Sequence, residues 1–104
     1  MKNVPILLLT LLAACSQASL QPDPSKADRY SLRGEVLHCD AAHSLVTVKH
    51  EKIEAAGKIW MEAMTMDFPV PAKADYDKAC ASKQIRATLY HNPKELQYWL
   101  AGVE

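Results

Sequence analysis

The chain of 104 residues predicts an all-β fold, a small closed barrel built from five strands. After Tyr30, apolar residues return at every second position, the spacing that turns one face of a strand inward. The runs are short, and clusters containing Gly, Pro, Asn, Asp or Ser separate them. The segment able to fold is only about 75 residues long, a size at which a single core is marginal and closure removes edges that invite aggregation.

The first strand begins with Ser31-Leu32-Arg33-Gly34-Glu35-Val36-Leu37, and Cys39-Asp40-Ala41-Ala42-His43 turns the chain. Leu45-Val46-Thr47-Val48-Lys49-His50 is the second strand, rich in β-branched residues that suit a pleated surface. Glu51 to Lys58, which includes Gly57, reads as a connecting loop. In the third strand, Met64-Thr65-Met66-Asp67-Phe68-Pro69-Val70, the residues Met64, Met66, Phe68 and Val70 share one face. Pro71 ends it, having no N–H to give to a ladder. Ala72 to Ala81 suits a single helical turn or an ordered loop. Gln84 to Tyr90 is the fourth strand, His91-Asn92-Pro93-Lys94 a turn, and Leu96 to Val103 the fifth. Five short strands with these turns favour an OB-type barrel, with a flat meander or a mixed sheet carrying one helix at 72–81 as the alternative.

The ends assign a compartment. Met1-Lys2-Asn3 is a short positive segment, and Val4 to Leu12 is apolar but too short to span a bilayer. Leu12-Ala13-Ala14-Cys15 resembles the lipobox of bacterial lipoproteins. That resemblance implies a signal peptide over 1–14, an acylated Cys15 as the first mature residue, and a periplasmic location, with Ser16 favouring the outer membrane; an ordinary secretory signal cut after Ala14 or Ala18 is the alternative. Residues 15–28 carry almost nothing to bury and read as the acylated cysteine and a flexible tether; residues 29–104 form the single folded domain. Without Lys2 the net charge is about minus one, and no basic stripe suggests nucleic acid. Membrane contact is expected through the N-terminal lipid only, and the domain is expected to be a monomer.

The densest chemistry lies in Trp60-Met61-Glu62-Ala63-Met64-Thr65-Met66, which holds every methionine except Met1. His50 stands at the end of the preceding strand. Thioether sulfur and imidazole nitrogen are soft donors that favour Cu(I), and by extension Ag(I), over oxygen-loving cations. Met64 and Met66 are two residues apart and aim to one side of a strand, while an antiparallel neighbour would set His50 opposite them. Such a neutral trigonal set disfavours Cu(II) and zinc. Thioethers need no deprotonation, so His50 alone makes affinity fall with acidity. Each residue also has a plain structural use: methionines fill irregular core gaps, and a histidine at a strand end is commonly just solvated.

Cys39 and Cys80 remain after Cys15. In an oxidising compartment two such thiols tend to pair, while copper ligation by one or both is the competing role. His38 and His43 flank the first turn and His91 sits in the last; all three are expected on the surface.

The order of His50, Ile53, Met61-x-x-Met64-Thr65-Met66-x-Phe68 and a strand resembles the CusF-like periplasmic copper- and silver-binding proteins. The resemblance runs from about residue 33 to 104, including Gly34-x-Val36, Val46-Thr47-Val48-Lys49-His50 and Tyr98-Trp99-Leu100. It implies a five-stranded OB-type barrel that binds Cu(I) or Ag(I) through His50, Met64 and Met66. The best-known form has a tryptophan three residues before the first methionine ligand, capping the ion. Here that position is Met61, and Trp60 precedes it, so Met61 becomes a candidate third sulfur or cover, while Trp60 is a candidate cap if the loop bends to bring its indole over the ion. Glu62-Ala63 also replaces a frequent proline.

The expected function is a lipid-tethered metallochaperone that passes its ion by ligand exchange to a copper-efflux component or to a copper enzyme under assembly. The alternative is an OB-type module that recognises a peptide or saccharide and uses the methionines as core; ligand methionines should then be partly exposed and core ones enclosed. No nucleophile–base pair, paired carboxylates or redox-spaced cysteines point to an enzyme.

Overall fold

The computed structural model describes residues 22–104. The signal peptide expected over 1–14, the acylation site at Cys15 and the first part of the tether lie outside them. A 3-10 turn at Pro24–Lys26 leads into β1 (Asp28–Asp40), followed by β2 (Leu45–His50), β3 (Ile53–Ala55), β4 (Lys58–Met61) and β5 (Met64–Pro69). Helix α1 (Lys73–Cys80) separates these from β6 (Gln84–Asn92) and β7 (Gln97–Ala101).

Five strands form one antiparallel sheet in the order β5-β2-β1-β6-β7. The centre is β1, long enough to pair with β6 along Asp28–Glu35 and with β2 along Gly34–Asp40. A register shift between Val36 and His38 leaves Leu37 as an extra residue, a bulge that bends the strand and lets the sheet curl. Gly34 lies where both ladders overlap. A Cβ there would stand 2.6 Å from Val48 Cγ1, 2.7 Å from Lys49 O and 2.9 Å from His50 Cα, so only glycine permits β2 to approach this closely.

The expected closed barrel is corrected to a curled sheet that is not fully closed. Its edge strands β5 and β7 come together without a backbone ladder. Side chains bridge the seam instead: Tyr98 packs edge-on against Phe68 with ring centroids 5.8 Å apart, and its hydroxyl donates to Asp67 O at 3.0 Å. Pro69, which has no N–H, sits in the edge strand β5.

Other expectations shift at their boundaries. The stretch read as a loop from Glu51 to Lys58 contains β3 and the start of β4, a hairpin turning through Ala56 and Gly57, both at positive φ. That geometry is the tight two-residue turn usually signalled by Asn-Gly or Asp-Gly, and Ala-Gly lacks the signal. The strand β1 begins earlier and ends later than expected, through Cys39 and Asp40, and β6 continues through His91 and Asn92. The single helical turn is an eight-residue helix.

The concave face holds the core: Leu32, Val46, Val48, Phe68, Val70, Ile85, Leu89 and Leu100 are buried, with Ala79 of α1 and Val103 closing one end. Asp75 in α1 accepts from the N–H groups of Gly102 and Val103 and anchors the chain end to the helix. A disulfide joins Cys80, the last residue of α1, to Cys39 of β1, with Cα atoms 6.2 Å apart. Cys39 pairs with Val46 at the start of β2, so the helix stands at the opposite end of the sheet from His50.

Candidate metal centre

Three successive inward-facing rungs join β2 to β5: Val46–Phe68, Val48–Met66 and His50–Met64. Along β5 the cover thins steadily, from a fully buried Phe68 through a half-buried Met66 to Met64, which is 49% exposed. The ladder therefore runs from sealed core to open rim. Alternation alone brings Met64 and Met66 to the same side as His50, because residues two apart in a strand share a face.

His50 is 2% exposed. Its Nδ1 lies 2.7 Å from Glu51 O, an acceptor only, so Nδ1 carries the proton and donates it. In the neutral ring the remaining nitrogen, Nε2, then offers a lone pair. It is buried and has no hydrogen-bond partner. Leaving such an acceptor unsatisfied costs about 1–3 kcal/mol, a cost that a metal ion would offset. A backbone carbonyl that fixes the tautomer of a ligand imidazole is a recurrent feature of metal sites. The ring of Phe68 stands edge-on to the imidazole at 5.8 Å and adds an apolar wall.

The hairpin β3–β4 brings Met61 and Trp60 to the same end of the fold. Met61 pairs with Ile53, three residues beyond His50, and is half-buried against the core. Trp60 is engaged elsewhere: its indole stacks on Tyr30 with centroids 4.0 Å apart and lies 5.4 Å from His91. Tyr30 and His91 belong to the inward faces of β1 and β6, so the indole pins the hairpin across the sheet. His91 is half-buried in this aromatic group rather than free on the surface. Sequence reasoning did not find the Tyr30–Trp60–His91 group, because no spacing links three residues on three strands.

His38 and His43 are exposed. His43 Nδ1 lies 2.9 Å from an Asp40 carboxylate oxygen, and this hydrogen bond holds the Asp40 carboxyl below its ordinary value. Among the described residues no group of three His, Cys, Asp or Glu side chains is placed to hold a metal ion. The register sets His50 directly opposite Met64 and diagonal to Met66 on one face of the sheet, and an imidazole with two thioethers is a donor set that suits a soft monovalent ion.

Residues 29–98 match the family model described as copper binding periplasmic protein CusF. No curated protein and no solved structure gives a significant match.

Proposed function

Because the chain belongs to the CusF family of periplasmic copper-binding proteins, we propose that it is a metallochaperone holding one Cu(I) ion through His50, Met64 and Met66, with Met61 covering the ion. Ag(I), of the same charge and softness, is the alternative cargo. The observation that carries the reading is the buried, unpartnered Nε2 of His50 on the rung opposite Met64. The proposed core role for the methionines would require enclosed side chains, and Met64 is half exposed.

His50 orients and anchors. The two thioethers complete a neutral trigonal set that exchanges readily, since no charged ligand must be stripped from the ion. The family is one of metal-binding proteins rather than enzymes, and the protein's part is binding, shielding and release. An acceptor (a copper-efflux component or a copper enzyme under assembly) would replace the thioethers one at a time with its own soft donors. Acylation of Cys15 would tether this monomeric domain to the membrane, with the outer membrane favoured by Ser16, and the residues ahead of β1 serving as the leash. An OB-type barrel is the fold reading that the strand order supports, with α1 between the third and fourth strands of the main sheet and side chains bridging its seam.

Anaerobic titration of the purified protein with Cu(I) against a competing chelator tests the reading. One tight equivalent is expected, lost in His50→Ala and in Met64→Ala and not displaced by zinc. Unchanged binding in both variants would falsify the site and leave a peptide- or saccharide-binding module as the better account.

A further inference from the structure

The proposed ligands differ sharply in how accessible they are. Met64 is half exposed, Met66 is half-buried behind it, and His50 is sealed and tied through Nδ1 to Glu51 O. Met64 is also the first residue of β5, where the seam is open. Tyr98 bridges that seam only further along, at Asp67 and Phe68.

The backbone leaves the same place open. Val70 N donates to Ser44 O, which makes Val46–Phe68, Val48–Met66 and His50–Met64 the hydrogen-bonded rungs of the β2–β5 pair. Thr65, between the two ligand methionines, therefore points its N–H and C=O away from β2 and toward the free edge. Among the described residues no partner strand covers that edge at Thr65. An incoming donor thus has a path to the ion beside Met64 and Thr65, and none through the core behind Met66 or His50.

We infer that Met64 is the exchange ligand: the ion enters and leaves across it, the Met64 sulfur is the first bond broken in handover, and His50 is the last. The order rests on the proposed copper site and adds to it a direction of transfer. No electron moves; a thioether lone pair of Met64 leaves Cu(I) as a donor lone pair of the acceptor takes its place.

The kinetics of two variants decide it. If the Met64 bond is already broken in the transition state for release, Met64→Leu weakens the bound state and leaves that transition state untouched. Its whole loss of affinity then reappears as faster release, with the association rate unchanged. For Met66→Leu the bond is still made in the transition state, so the loss falls mainly on association. We expect stopped-flow transfer of Cu(I) from the full protein to bathocuproine disulfonate to be faster in Met64→Leu by the factor lost in affinity, about tenfold or more. Release from Met66→Leu should change less than threefold or so for a comparable affinity loss. The opposite partition, or equal partition, overturns the order while leaving the site intact. Unchanged affinity in both variants overturns the site itself and the order with it.

Discussion

His50 and Met64 face each other on the last rung of the β2–β5 ladder, one sealed at 2% exposure and the other open at 49%. A single cross-strand pair thus couples a buried lone pair to a thioether at the rim. In the proposed site the sealed partner would fix where the ion sits, and the open one would give it a way in and out.

The buried Nε2 makes a trade between stability and binding. His50→Leu removes an unsatisfied acceptor at similar volume, while also losing the bond to Glu51 O. The apo protein should keep its stability within about 1 kcal/mol, because those effects oppose each other. Cu(I) should raise the Tm of the wild type and leave that of the variant unmoved. A variant much less stable than wild type in the absence of metal would show that the histidine is a structural element first.

Gly34 should matter more than its size suggests. Gly34→Ala forces a Cβ into the backbone of Lys49 and His50, where no flexible side-chain tip can yield. A loss of about 1–3 kcal/mol is expected in denaturant unfolding. Cu(I) affinity should also drop, since the displaced segment carries His50. Wild-type stability and affinity in this variant would mean that β2 can retreat freely.

Met61 and Trp60 are separable by their neighbours. Trp60 is held by Tyr30 and His91, so Trp60→Leu should cost about 1 kcal/mol or more of stability through lost stacking and burial. Met61→Leu should leave stability nearly unchanged, as an isosteric swap does, and weaken Cu(I). Chelator competition and thermal melts on the two variants measure both quantities. Intact Cu(I) affinity in Met61→Leu beside weakened affinity in Trp60→Leu would restore the indole as the cover.

The disulfide should serve the fold and not the site. Replacing both Cys39 and Cys80 with alanine removes a link across 41 positions of sequence and should cost about 2–4 kcal/mol. Cu(I) stoichiometry and affinity, measured well below the lowered Tm, should remain as in the wild type. A lost equivalent would instead assign thiolates to the metal.

Much of this was legible before folding because strand periodicity reports faces directly. Alternation placed Met64, Met66, Phe68 and Val70 together, and they do share the inward face. The β3–β4 hairpin was not legible, since Ala56 and Gly57 form a tight turn without its usual residues. Closure was overestimated for a related reason. Strand count and length suggest a barrel, but whether two edges bond depends on how far the sheet curls, and that curl is set by Gly34 and the Leu37 bulge.

The sequence by itself determined the alternation, the soft character of the donors and the sharing of one strand face by two methionines, because residue type and spacing are local properties. Only the tertiary structure decided which nitrogen of His50 is free, which methionine is open to solvent, and that Trp60 leans on Tyr30 and His91. Each of those depends on what segments distant in sequence place beside the residue: the Glu51 carbonyl turned back on the ring, the unclosed edge of β5, and the two strands against which the hairpin folds.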